Sequence, residues 1–456
     1  MRVHIYHTND IHSNYSFLKK VYCYLLKHKT ENDFYFDSGD YNDLTSFLVQ
    51  ADKGISAMDL WLQCRPDAMA LGNNEIDMEK EAVAKLAAEN YPIICCNLTD
   101  AQNQPIEHLK SSLIIEKSGQ RFLILAVAPY YGAHMRPNTY NLFFEMGDLR
   151  TQETFGCIRA ELQKQKGNYD YCILLSHSGL KVDIEIRRQF PEIHLCLGGH
   201  THNIYSEKGY SQSGRGERLG KITLEVIDNK IKEIENIQIE LPEAENSYFD
   251  NLLAEKEAAA NQILSQELAV LAELSFHPFA ECELINFICD ALRKQFKGDL
   301  AMMHHGIAEG ALVRPVSLKS LLETFPSKLN PTIYPILGKH IKTAVQLSFD
   351  AEHIRESGVG AGFRGRVLGT LGFSSNVEIT QSPLQIYIDG QLLQEDKEYL
   401  LITDDYLQRG TGYPSLKVEN DKAKYDKWFI RDLVRHFLLD AEVFEQAKKR
   451  RRNPIS

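Results

Sequence analysis

Five short apolar segments in the first half of the chain each run into a group of hard or borderline metal ligands. They are HTNDIHSN (Asp10, His12), FDSGDYND (Asp37, Asp40), ALGNNEID (Asn73, Asn74, Glu75, Asp77), LLSHSGL (His177) and LGGHTHN (His200, His202). In layered α/β folds the loops beyond the carboxyl ends of the strands line the site, so residues distant in sequence converge there. Glycines beside these ligands (Gly39, Gly72, Gly198, Gly199) permit the sharp turns that aim side chains at one point.

Carboxylates, imidazoles and an amide oxygen, without a ligating thiolate, suit Mn, Fe, Zn or Mg rather than an iron–sulfur or structural zinc site. The set is too rich for one ion. A carboxylate shared by two ions is the economical arrangement, and such a pair can hold a hydroxide and polarise a phosphoryl group. Singly the segments say little, because Asp-x-His and Gly-Asp are common in turns and a histidine after an apolar strand is commonly a core residue. All five together, in this order, are far more specific.

From Met1 to about Glu240 apolar runs alternate with amphipathic stretches, which predicts an α/β layered domain over 1–243. ITLEVIDNKIKEIENIQIEL predicts its closing hairpin, turning at Asp228-Asn229. Residues 244–275 predict a long, exposed linker helix, rich in Ala, Glu, Leu and Gln. Residues 276–456 then read as an α+β domain opening with a helix from Cys282 to Phe296, and the tail Lys448-Lys449-Arg450-Arg451-Arg452 as a solvated helix end.

A formal net charge of -11 argues against a chain built to wrap a nucleic acid polymer, although metal ions can supply positive charge for phosphate locally. Nine cysteines, an odd number with Cys95 beside Cys96, read as reduced thiols and a cytoplasmic location. The chain leads at once into the strand-like Arg2-Val3-His4-Ile5-Tyr6 without a leader pattern, and no apolar run approaches a membrane span.

The ordered set D-x-H, G-D, G-N-x-E, H, G-H-x-H resembles the calcineurin-like metallophosphoesterases, and with its second half the chain is similar to the 5'-nucleotidase family. The resemblance implies a four-layer α/β sandwich, two mixed sheets flanked by helices, joined by the linker helix to an α+β substrate-binding domain. It also implies two divalent ions (Mn, Zn or Fe, or else Mg). Asp10, His12, Asp40 and His202 would serve one, and Asp40 would bridge to a second held by Asn73, His177 and His200. The family's Gly-Asn-His-Glu reads Gly72-Asn73-Asn74-Glu75 here, so Asn74, beside Asp77, stands where a histidine assists the leaving group. An amide can donate a hydrogen bond to a phosphoryl oxygen but cannot deliver a proton, and such help is worth about 10²–10⁴-fold. Leaving groups of low pKa lose least.

In the second half the family's Gly-Gly-Gly-Ile-Arg reads His304-His305-Gly306-Ile307-Ala308, and Tyr406-Leu407-Gln408-Arg409-Gly410-Thr411-Gly412-Tyr413 resembles its Phe-Leu-Ala-x-Gly-Gly-Asp-Gly-Phe. The resemblance assigns Tyr406 and Phe363 (Phe373 being the other candidate) to base stacking. Arg366 is taken for phosphate, among Arg314, Arg364 and Arg409. The implied activity is release of phosphate from nucleotides. The alternatives are a phosphodiesterase or pyrophosphohydrolase acting on cyclic or anhydride-linked nucleotides, and a nucleotide-binding regulatory protein of weak turnover. The expected partner is a small-molecule nucleotide, with neither a membrane nor a nucleic acid polymer; the oligomeric state is not legible.

Overall fold

The computed structural model describes residues 2–89, 91–227, 230–360 and 362–452. They form two compact units that meet in sequence between Asn261 and Gln262.

The first unit contains two six-stranded sheets. One has the order Lys230–Ile239, Leu219–Ile227, Arg2–Thr8, Phe34–Asp37, Ala68–Ala70, Ile93–Ile94; the other runs Ile204–Glu207, Tyr210–Ser213, Leu195–Gly198, Tyr171–Ser176, Gln120–Val127, Ser112–Lys117. The central strands are parallel, as is the edge strand Ile93–Ile94, and the other outer strands join antiparallel, so both sheets are mixed. Parallel strands covered on both faces read as continuous apolar runs, which is why YCILLS and FLILAV carry no polar alternation. Val3, Ile5, Phe34, Phe36 and Ala70 of the first sheet meet Phe122, Ile124, Ile173, Leu175 and Leu197 of the second. Behind the second sheet, Leu123, Leu125, Cys172 and Leu174 pack against Ile158, Leu162, Val182 and Ile186 of the helices Thr154–Lys164 and Leu180–Gln189. Behind the first, Tyr6 meets Tyr24 of the helix Tyr15–His28, and Tyr35 meets Trp61 of Ile55–Leu62. This is the four-layer α/β sandwich. The hairpin strands pair antiparallel as expected, while the turn at Asp228-Asn229 lies outside the described residues.

The second unit is α+β. A five-stranded sheet (Leu371–Phe373, Leu300–His304, Glu398–Asp404, Pro331–Leu337, Lys424–Tyr425) and the helices Ile430–Phe437 and Ala441–Ala447 pack against the helix Glu283–Phe296, whose residues Leu284 to Leu292 are all buried; a three-stranded sheet (Val377–Gln381, Leu384–Ile388, Gln391–Leu392) completes the unit.

Two expectations are corrected here. The linker helix spans Ser247–Leu264 rather than 244–275. Beyond it the chain is extended: Leu268 N–H donates to Val316 O at 2.7 Å, and Leu274 and Leu312 exchange backbone bonds at 3.0 Å. Leu268, Val270, Ala272, Leu274 and Phe276 face the core while the residues between them are exposed, so period-two burial outweighs the helix propensity of Ala, Leu and Glu. The basic tail is a solvated helix end only at Lys448, Lys449 and Arg450, which are exposed; Arg451 and Arg452 turn back into the unit. The last helix stops at Ala447, and Arg451, 2% exposed, forms an ion pair with the buried Asp290. Arg452 donates to Thr370 Oγ1 at 2.9 Å and packs over the Phe349 ring at 4.7 Å. A carboxylate inside a core requires a cation beside it, and the tail supplies one. No helix among the described residues is long and apolar enough to cross a membrane.

Candidate metal centre

All five ligand-bearing loops follow the carboxyl ends of parallel strands, three from one sheet and two from the other. They converge closely. Asp10 Oδ1 lies 3.2 Å from His202 Nε2 and 3.8 Å from both His12 Nε2 and His177 Nε2. Asp40 Oδ2 lies 3.5 Å from His177 Nε2 and 3.8 Å from His12 Nε2. Asn73 Oδ1 is 3.1 Å from His200 Nδ1, and the His200 ring sits 5.2 Å from that of His177.

Several outward-facing atoms of these residues are occupied, while three that face the centre are not. Asp10 Oδ2 accepts from the Asn9 amide at 2.7 Å and from His200 N–H at 2.8 Å. His177 Nδ1 donates to the Ser38 carbonyl at 2.7 Å, and His12 Nδ1 faces Asp43 Oδ2 at 3.4 Å. Asp10 Oδ1, His12 Nε2 and His177 Nε2 are buried without a hydrogen-bond partner. Buried polar atoms are nearly always satisfied, so a carboxylate oxygen and two imidazole nitrogens left bare at one point fit a divalent cation.

The electrostatics agree. Burial disfavours charge on His177, yet Asp40 and Asp10 raise its pKa to about 10. Burial likewise opposes ionisation of Asp40, but His177, His12 and the Asn74 backbone N–H hold its carboxyl well below the usual range. Burial and the neighbouring His177 lower His200 to about 4, leaving it neutral. The pocket therefore attracts positive charge.

The backbone is bent to make it. Asp10, His12, Asp40, His200 and His202 all have left-handed φ, between +47° and +72°, the kind of strain that collects where side chains must be aimed. Gly72 brings its loop so close that a Cβ there would stand 2.2 Å from Asp40 Oδ1, and one on Gly39 would stand 2.7 Å from Gly72 N.

Other acids and amides in the five segments hold the loops. Glu75 accepts the backbone N–H groups of Asp40, Gly72 and Asn42 at 2.9–3.0 Å. Asp37 accepts from Thr8 Oγ1 at 2.6 Å and from Gly39 N–H at 2.9 Å. Asn74 turns onto Asp40, its side-chain amide reaching Oδ2 and its backbone N–H reaching Oδ1, both at 2.8 Å. Asp77 follows the short helix Asn73–Ile76, its N–H bonded to Asn73 O at 2.9 Å. One neighbour carries no mark in the sequence. Tyr140, from the irregular stretch 129–148, places its hydroxyl 2.6 Å from His200 Nε2, and burial with the nearby Asp40 raises that hydroxyl to about 12.

In the second unit Phe363 and Tyr406, expected to stack on a base, lie against each other. Their rings stack directly, centroids 4.8 Å apart and 26° between planes, with His304 against both. That separation is direct ring contact and leaves no space for a third ring. Phe373 is a core residue, and Arg366 extends into solvent beside Glu309 at 3.1 Å. His304 and His305 are buried, bonded to Asp404 at 2.9 Å and to the His277 carbonyl at 2.7 Å.

Residues 3–203 match the calcineurin-like phosphoesterase family and residues 265–417 match the 5'-nucleotidase C-terminal domain. The chain is 28% identical to the uncharacterized metallophosphoesterase YunD of Bacillus subtilis, over 95% of this chain and 98% of the relative. Its fold is similar to that of a putative 5'-nucleotidase from Staphylococcus aureus (TM-score 0.65, 15% identity, 97% of this chain and 98% of that one). It is also similar to the NAD nucleotidase of Haemophilus influenzae (TM-score 0.64, 15% identity, 96% of each chain).

Proposed function

We propose, for a chain that belongs to the calcineurin-like phosphoesterases and carries a 5'-nucleotidase C-terminal domain, that the strand-end cluster holds two divalent cations and hydrolyses phosphate esters of nucleotides. Asp10, His12, Asp40 and His202 would hold one cation; Asp40, Asn73, His177 and His200 the other. The observation that carries this reading is the trio of buried, unpartnered atoms on Asp10, His12 and His177. The mixture of carboxylate, imidazole and amide donors suits Mn, Zn or Fe, and tolerates Mg. Such ions, when bound, polarise a phosphoryl group and lower the pKa of water.

The chain's own residues prepare the site for that chemistry. Asp40 stays ionised and is held from both oxygens by Asn74. Glu75 ties the Gly-Asp loop to the Gly-Asn-Asn-Glu turn, so ligands from two strands move as one body. An amide at position 74 offers no proton, and departure of the leaving group falls on its own pKa. That favours a second reading, in which anhydride-linked nucleotides are better substrates than simple monophosphates. Nucleotide substrates rest on the match of residues 265–417 to the 5'-nucleotidase C-terminal domain. A purely regulatory role sits poorly with a ligand cluster this complete. Nine free cysteines support a reducing, cytoplasmic setting.

The test is phosphate release from nucleoside mono-, di- and triphosphates, NAD, cyclic nucleotides and an aryl phosphodiester, with Mn²⁺-reloaded protein and Asp40→Asn alongside. Turnover that Asp40→Asn reduces by about 10²-fold or more is expected. Equal turnover in the two proteins, or none on any substrate with metal bound, would overturn the reading.

A further inference from the structure

Tyr140 reaches the centre from outside the five ligand loops. It precedes the short helix Asn141–Phe144, and its ring stacks on Phe144 at 6.0 Å with 22° between planes. The stretch is pinned by Asn141, 1% exposed, whose amide donates to Asn138 Oδ1 at 2.6 Å and to the Thr151 carbonyl at 2.8 Å and whose carbonyl accepts Thr151 N–H at 2.8 Å. From this mount the hydroxyl lies 2.6 Å from His200 Nε2, the two rings nearly perpendicular at 79°.

A neutral imidazole carries one proton on two nitrogens. With the proton on Nδ1, His200 donates to Asn73 Oδ1 and Nε2 accepts from the tyrosine O–H. With the proton on Nε2, it donates to the tyrosine oxygen, and Nδ1 and Asn73 Oδ1 present two lone pairs 3.1 Å apart, an arrangement that only a cation between them makes favourable. A phenol serves both tautomers because it both donates and accepts. A phenyl ring serves neither.

We propose that Tyr140 is a positioning residue for the second cation: its hydroxyl oxygen accepts a hydrogen bond from the Nε2–H of His200, which keeps that proton on Nε2 and so presents Nδ1, beside Asn73 Oδ1, as a ligand. This rests on the two-cation reading above. Tyr140→Phe keeps the stack on Phe144 and removes only the hydroxyl, so in the metal-binding tautomer the Nε2–H of His200 is left without its acceptor.

The experiment titrates the full-length apo protein with Mn²⁺ by calorimetry and follows the exchange-coupled two-Mn²⁺ signal by electron paramagnetic resonance. Wild type should take two ions. Tyr140→Phe should bind the first as wild type does and the second about 10- to 100-fold more weakly, losing the coupled signal at Mn²⁺ levels that saturate wild type. Phe144→Ala, which removes the stack and keeps the hydroxyl, controls for loosening of the stretch and should retain both ions. Unchanged second-site affinity in Tyr140→Phe, equal weakening of both sites, or the same loss in Phe144→Ala overturns the proposal. A wild-type protein that takes fewer than two ions instead overturns the two-cation reading itself, whatever Tyr140→Phe does.

Discussion

At the scale of single residues the centre depends as much on side chains that never face its interior as on those that do. Glu75 is buried, and burial with the adjacent Asp40 pushes its carboxyl up to about 7, against three backbone N–H groups that favour the ionised form. Glu75→Gln puts an NH₂ where one of those N–H groups points, leaving a buried donor unmatched; a loss of about 1–3 kcal/mol is expected in urea unfolding. Asn74 governs chemistry rather than stability. Across a series of phosphate esters, rates of the wild-type protein should rise steeply as the leaving group's pKa falls. Asn74→His should flatten that dependence, with a gain of about 10²-fold on alkyl monoesters and little on aryl ones. A flat dependence in wild type would show that departure needs no help at position 74.

At the scale of elements the sequence was legible where one physical demand dominated. The seven metal-ligand candidates lie at strand ends because each follows an apolar run too short to be anything but a buried strand. The glycines beside them announce turns that only glycine fits. The segment after Leu264 was misread because two demands conflict there: Ala, Leu and Glu favour a helix, whereas alternate burial from Leu268 to Phe276 selects an extended chain. The tail misled because charge was taken as a sign of solvent, with no view of Asp290 inside the core. Tyr140 was invisible because its stretch carries no periodicity at all. Both corrected elements yield measurable consequences. Leu274→Ala empties a site 2% exposed and should cost about 2–5 kcal/mol. Arg451→Ala strands the Asp290 carboxylate and should cost about 3–5 kcal/mol, both read by denaturant unfolding.

At the scale of the whole molecule, every proposed metal ligand belongs to the unit that ends at Asn261. A fragment of residues 1–264, which keeps the helix Ser247–Leu264 whole, should therefore bind Mn²⁺ with the stoichiometry of the full chain. Its stability should rise by about 2.7 kcal/mol at a free metal concentration of 100 Kd, seen as a shift in thermal unfolding. A fragment that folds but takes no metal would place part of the ligand set in the second unit. The crowding of Gly39 and Gly72 against the neighbouring loop bears on how such a centre diversifies. A methyl group added to either loop is felt at once by the other, so the loops cannot drift one at a time. Descendants of this chain inherit the centre as a block, and selection for new substrates is left to work on segments that touch none of its ligands.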